Sequence, residues 1–246
     1  MCASIGPRTL LGMLTPSSNT VLEPLTSAMV SGLPDVTAHF ARFPVREISL
    51  REAALGQFDR EPILQAARLL ADARVGSITW SGTSAGWMGF EADEELCRAI
   101  AGATGVPAGT SVLALNEIFV RTCVRRFALV TPYLDEIQER IVGHYERAGF
   151  ECVAERHLRD RGNFSFSEYG EEAIAGMIRE VAAKRPDAIT VFCTNLRGAA
   201  VVEAMESETG VPIYDTVAAG VWKGMRLAGA DPSRIKGWGR LFSEVL

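Results

Sequence analysis

Cysteine is the residue of this chain best suited to proton or covalent chemistry, and five are present, at positions 2, 97, 123, 152 and 193. The number is odd and no two are separated by two residues, a pattern that fits neither a zinc site nor a disulfide framework. Cys2 is terminal, Cys97 lies on a helix stripe, and Cys123 and Cys152 lie near strand starts, where cysteine is ordinary core filler. Cys193 differs. It ends an apolar run, Ala188 to Phe192, and precedes Thr194, Asn195 and a helix start near Leu196 to Val201. A helix N-terminus favours a thiolate and lowers a thiol pKa, which singles out Cys193, although the sequence does not fix whether it is ionised at rest.

Other turns are rich in small donors. Gly82-Thr83-Ser84 can offer hydroxyl and backbone N–H groups to a carboxylate or a developing enediolate, as an oxyanion hole does. Ser17, Ser18 and Asn19 form a second such turn, ahead of a helix starting near Val21. Tyr133, just past Thr131-Pro132, can aim a hydroxyl into a cleft, and Asn163, Thr194 and Asn195 add more donors. Helix capping is the plainer use of Ser17 and Ser18. There is no Walker A loop, no GxGxxG after a strand and no HExxH, and His39, His144 and His157 are scattered. The inventory leaves proton chemistry at carbon, with no cofactor and no metal.

The elements that must position these groups alternate in type. Leu10–Leu14, Gly76–Trp80, Phe127–Val130 and Ala188–Phe192 are short continuous apolar runs, the pattern of buried parallel strands. Each ends in one of the polar turns. Between them Glu61–Ala73, Asp135–Ala148 and Glu171–Ala183 carry helical stripes. The expected class is α/β with parallel sheets. Thr15-Pro16 recurs as Thr131-Pro132, Ser81–Ser84 as Phe192–Asn195, and Gly105-Val106-Pro107 as Gly210-Val211-Pro212, in the same order. The chain therefore reads as two pseudo-symmetric halves, residues 1–120 and 121–246, with the helix over 217–228 packing back on the first. Ligands of open parallel sheets bind beyond the carboxyl ends of the strands. The four turns should thus meet in one cleft, with Gly82 and Cys193 at equivalent positions.

Composition narrows the function further. With 246 residues, 48% of them hydrophobic, the chain can bury a core without staples. A net charge of −5 with scattered basic residues gives no case for nucleic acid. No apolar run is long enough to span a membrane. The amino terminus lacks the apolar core of a signal peptide, and free thiols suit a reducing compartment, so the expected location is cytoplasmic. The oligomeric state is not fixed by sequence, a homo-oligomer being one option.

The repeat, the cleft and the thiol resemble the aspartate/glutamate racemase superfamily, whose cofactor-independent enzymes use two cysteines on opposite faces of a carbanion. Here the first-half position is Gly82. Gly82-Thr83-Ser84, Thr131–Arg140, Cys193, Gly220–Gly229 and Gly237–Phe242 resemble the arylmalonate decarboxylase branch, which has a single second-half cysteine. Pro16–Thr20, Asn163 and Cys193–Arg197 look instead like the maleate isomerase branch, in which asparagines and the tyrosine hold substrate carboxylates and both cysteines are needed. The resemblance implies an enzyme acting on a small dicarboxylate.

Three readings follow. The first is decarboxylation of a substituted malonate-type diacid. Thr83, Ser84, Tyr133 and the Thr194 N–H would hold one carboxylate as it becomes an enediolate, and Cys193 would protonate it. Trp87, Phe43 or Phe164 would line an apolar pocket for the other carboxylate, and Gly82 would leave room for that group or a bulky substituent. The second is cis–trans isomerisation or racemisation of a small dicarboxylate, with Cys193 as nucleophile. The third is a non-catalytic carboxylate-binding protein. Asn19, Ser17, Asn163, Thr194 and Asn195 are the expected substrate-binding set, and Arg197 is expected to be solvated.

Overall fold

The computed structural model describes residues 8–45 and 60–245. Cys2 lies outside them. Two four-stranded sheets, parallel throughout, form the frame. The first contains β1 (Thr9–Pro16), β2 (Val36–Phe43), β3 (Ser77–Trp80) and β4 (Ala108–Thr110), in the spatial order β2-β1-β3-β4. The second contains β5 (Arg126–Thr131), β6 (Glu151–His157), β7 (Ala188–Val191) and β8 (Ile213–Asp215), in the order β6-β5-β7-β8. The pseudo-repeat of the sequence is thus a repeat of topology.

The central strands β1, β3, β5 and β7 are buried almost end to end because helices cover both faces, which is why they read as continuous apolar runs. The edge strands β2 and β6 are half-buried along most of their length and carry Arg42, Glu155, Arg156 and His157. Their charges protect an exposed edge and hide the strand signal in the sequence.

The covering helices are α1 (Leu22–Val30), α2 (Arg60–Asp72), α3 (Ala85–Met88), α4 (Phe90–Thr104), α5 (Ser111–Arg121), α6 (Asp135–Arg147), α7 (Glu171–Ala182), α8 (Gly198–Thr209), α9 (Thr216–Leu227) and α10 (Leu241–Glu244). Asp215, at the end of β8, caps α9 through Oδ1, which accepts from the Val217 and Ala218 N–H groups. Although α9 follows the last strand of the second sheet, it lies on the first. Gly220 and Gly224 bring its backbone onto β3 and the start of α5: a Cβ at Gly220 would meet Ser111 Oγ at 2.8 Å, and one at Gly224 would meet Thr79 Oγ1 at 3.1 Å. Lys223 closes the contact through an ion pair with Glu117 of α5, at 2.5 Å. No helix of the described residues is long and apolar enough to cross a membrane.

In each sheet the chain runs outward in opposite directions from the central pair, β1/β3 and β5/β7. Such a reversal opens a crevice at the carboxyl ends of those strands. The turns that follow the four central strands are the four donor-rich turns of the sequence.

Asp93 of α4 is buried in the first half, and its Oδ2 has no hydrogen-bond partner among the described residues. Burial pushes its carboxyl up to about 7, against the opposing effect of a hydrogen bond from Thr110. The folded state therefore holds this proton more tightly than the unfolded chain, and stability is lost as pH rises from about 4 to about 7. Asp93→Asn should stabilise the protein at pH 8 by roughly 2–4 kcal/mol, a gain that shrinks steadily as pH falls towards 4. Urea unfolding across that range checks it.

Candidate functional site

The crevices of the two sheets face each other and share one cavity. Its walls are Pro16 and Asn19 after β1, Trp80 to Ser84 and Trp87 after β3, Tyr133 after β5, and Cys193, Thr194 and Asn195 after β7, with Val45 and Asn163 at the sides. The cavity itself is narrow, about 30 Å³, and the space between its walls reaches about 360 Å³ only when the open mouth is counted. No lysine, arginine, histidine, aspartate or glutamate is among the described lining residues. Anything anionic bound here meets only neutral donors.

A strip of buried polar groups joins the halves at the base of the cavity. Asn19 Nδ2 donates to the Thr194 carbonyl and to Thr194 Oγ1, both at 3.1 Å. Thr194 Oγ1 donates in turn to the Ser81 carbonyl at 3.0 Å. Asn195 Oδ1 accepts from the Thr20 N–H at 3.0 Å, and its Nδ2 donates to the Asn163 carbonyl at 2.5 Å. Asn19 Oδ1 also accepts from the Val21 and Leu22 N–H groups at the start of α1. Its amide is saturated, with two N–H groups and two lone pairs all engaged.

These bonds revise part of the expected substrate-binding set. Asn19 builds the cleft and has nothing left for a ligand, and the Thr194 hydroxyl is likewise committed. Ser17 is not a lining residue. Its hydroxyl donates to the Val45 carbonyl at 3.1 Å and accepts from the Val45 N–H at 3.0 Å, holding that strand end. Of the aromatic residues expected at the pocket, Trp87 lines it. Phe43 instead packs behind Trp80, with ring centroids 4.7 Å apart, and Phe164 is 55% exposed. Arg197 is exposed and donates to the Ser167 carbonyl at 3.2 Å.

The uncommitted donors are grouped. The N–H groups of Thr83, Ser84 and Thr194 find no acceptor among the described residues. Ser84 and Asn163 are buried and line the cavity, and Asn163 Nδ2 makes a single bond, to the Val45 carbonyl at 3.5 Å. Tyr133 Oη lies 2.6 Å from Thr83 Oγ1. The Tyr133 ring is held between Trp87 and Phe166, with centroid distances of 5.2 and 5.7 Å. Its backbone N–H donates to Thr131 Oγ1 at 3.3 Å, and that hydroxyl is fixed by Gln138.

Cys193 is 3% exposed. Its Sγ accepts the Asn195 N–H at 3.4 Å and a hydrogen bond from Tyr133. Burial nevertheless dominates and pushes the thiol up to about 12, while the hydrogen bonds from Tyr133 and Asn195 act in the opposite sense. A helix N-terminus does not offset this burial. The helix, α8, begins only at Gly198, and its dipole acts within about the first turn. The resting group is a neutral S–H with donors already aimed at the sulfur. Burial likewise raises the Tyr133 phenol well above its ordinary value, so it too is neutral.

Gly82 also departs from expectation. Its lack of a side chain does not open space, because a Cβ there would lie 2.4 Å from Trp80 Cζ2 and 2.7 Å from Cε2. Trp80 fills the first-half position. It was legible in the sequence only as the last residue of a core strand, and its place beside Gly82 comes from the turn of the chain.

The family model described as arylmalonate decarboxylase matches residues 18–242. An arylmalonate decarboxylase of Bordetella bronchiseptica is 31% identical over 195 residues, covering 75% of this chain and 78% of that protein. A maleate isomerase of Pseudomonas putida is 23% identical over 245 residues, covering 95% of this chain and 96% of its own. The crystal structure of a maleate isomerase from Pseudomonas putida S16 with maleate superposes with a TM-score of 0.87 at 23% identity, covering 96% of this chain and 97% of that one. The fold is thus that of the aspartate/glutamate racemase-like enzymes.

A thiol near 12 is almost wholly protonated at neutral pH. Cys193 should therefore be alkylated by iodoacetamide at pH 8 at least tenfold more slowly than exposed Cys123. Residue-resolved mass spectrometry across pH 7–10 reads this; a half-maximal rate near neutral pH would contradict the assignment.

Proposed function

The chain belongs to the arylmalonate decarboxylase family, and from that premise we propose that it is a cofactor-independent decarboxylase of a substituted malonate-type diacid. One observation carries the reading: among the described lining residues the cavity holds a single thiol, Cys193, and the equivalent first-half position is Gly82 backed by an indole. Racemisation needs an acid and a base on opposite faces of the carbon. Decarboxylation needs one proton donor, because loss of CO₂ itself creates the carbanion.

In this reading one carboxylate sits on the free N–H groups of Thr83, Ser84 and Thr194, with the Thr83–Tyr133 hydroxyl pair and Ser84 Oγ beside it. These preorganised donors strengthen as charge moves onto that carboxylate. The other carboxylate lies towards Pro16, Val45 and Trp80, which offer it no charged partner. The bond from the central carbon to this group breaks heterolytically and CO₂ departs. The electron pair stays on the central carbon and spreads into the retained carboxylate as an enediolate. Cys193 Sγ–H delivers its proton to that carbon from one face. The thiolate left behind is stabilised by Tyr133 O–H and the Asn195 N–H, and takes a proton from water. A thiol raised by burial is suited to this step, because it is loaded before CO₂ leaves.

A second reading, cis–trans isomerisation of maleate, draws on the asparagines around the cavity and on similarity to maleate isomerases along nearly the whole chain. There Cys193 would add to the double bond as a thiolate, a form that burial disfavours.

Proton NMR in D₂O with methylmalonate, phenylmalonate, maleate and aspartate separates these readings. The expected result is CO₂ loss from a malonate with one deuteron delivered to one face, at a rate reduced at least 100-fold in Cys193→Ala. Maleate going to fumarate would establish the isomerase instead, and deuterium entering unreacted aspartate would establish a racemase.

A further inference from the structure

We infer that Trp80 is a specificity-determining residue of this cleft, taking the place of a first-half acid/base group and restricting the substrate to compact diacids that carry hydrogen or small alkyl groups rather than an aryl ring. The inference rests on the diacid reading above and goes beyond it in naming the substrate class.

The geometry is steric first. The three atoms nearest a Cβ at Gly82 would all belong to the Trp80 indole, at 2.4, 2.7 and 3.0 Å. Any side chain at position 82 would need the indole to move. Trp80 is 1% exposed and backed by Phe43, so it has nowhere simple to go. The glycine and the tryptophan are therefore one device: residue 82 is small because residue 80 occupies its space.

The indole also brings a donor. The three atoms nearest the position-82 Cβ site, Cζ2, Cε2 and Cη2, form the benzo edge of the indole, and Nε1 is bonded to the second of them, one bond beyond that edge. Nε1 is buried and has no hydrogen-bond partner among the described residues. A buried N–H without an acceptor is costly, and a carboxylate oxygen in the cavity would satisfy it. An indole N–H is far too weak an acid to deliver a proton. It can hold a carboxylate where a thiol would have exchanged a proton, which keeps protonation on the Cys193 side.

Trp80 is also a partition. Together with Ser84 it lines a second cavity, whose other walls are apolar Ile63, Met88, Ala92 and Leu96 and polar Arg60 and Asp93. Removing the indole would join that space to the cleft and give a bulky substituent room beside Ile63, Met88, Ala92 and Leu96.

Binding is measured by calorimetry in a Cys193→Ala background, with methylmalonate and phenylmalonate as probes. The Trp80 form should bind methylmalonate at least tenfold more tightly than phenylmalonate. Trp80→Leu should remove or invert that preference. Trp80→Phe, the milder change, loses the N–H and should weaken methylmalonate binding about five- to tenfold. Equal affinity for the two probes in the Trp80 form, an unchanged preference in Trp80→Leu, or no binding by any form overturns the inference. A readout independent of ligands guards against misfolding of the leucine variant. Gly82→Ala should lower Tm by about 5 °C or more when Trp80 is intact, and by clearly less when it is added to the Trp80→Phe variant; equal losses overturn the steric claim. Turnover is read separately with Cys193 intact. A cleft that binds in the expected order but converts neither diacid refutes the decarboxylase reading and leaves the role of Trp80 standing.

Discussion

The buried hydrogen-bond strip from Asn19 through Thr194 to Ser81 is the constraint on which the rest of the structure depends. Each half presents polar groups at the ends of its central strands, where the sheet no longer pairs them. Buried polar groups must find partners, and these find them across the cleft. The turn after β1 is satisfied by the turn after β7, and that turn by the end of β3. Two sheets that could otherwise slide on an apolar interface are thereby held in one register. The strip runs through Thr194, the residue next to the thiol, so the contacts that align the halves also align the candidate chemistry.

Within this symmetric frame the site itself is asymmetric. Topology places Gly82 and Cys193 at corresponding points, two residues beyond β3 and β7. The strands end differently, however. β7 ends in Val191 and leaves the Cys193 side chain its own space, whereas β3 ends in Trp80, whose indole reaches over the following turn. One face of the cavity therefore carries a thiol and the other an indole. A pseudo-symmetric scaffold has become one-sided through the size of a single strand-end residue.

Electrostatics agrees with that division of labour. With no charged side chain among the described lining residues, the cavity attracts an anion only through hydroxyls, amides and backbone N–H groups. Such neutral donors are oriented in advance and, in the diacid reading proposed above, do not quench the charge of a second carboxylate by pairing with it. The same dry surroundings keep Cys193 protonated. In the proposed reaction burial would thus serve two ends in one place, withholding solvation from the ligand and keeping the proton on the sulfur.

The fold class, the two-half repeat and the central strands were all readable from sequence, because buried parallel strands print continuous apolar runs and each ends in a polar turn. The edge strands β2 and β6 were not, since half-exposed strands carrying Arg42, Glu155 or Arg156 lose that signature. The residues that meet in the cleft were legible as types, including Gly82, Thr83, Ser84, Tyr133, Asn163 and Cys193. Their use was not. That Asn19 is consumed in joining the halves, that Ser17 faces Val45, that Cys193 stands clear of the helix dipole and that Trp80 fills the Gly82 slot were all decided by tertiary structure. Periodicity records which face of an element is buried, so the sequence by itself determined the elements and their order. A side chain's hydrogen-bond partners, its dielectric surroundings and the space next to it are set by residues far away in the chain, and only packing brings those together.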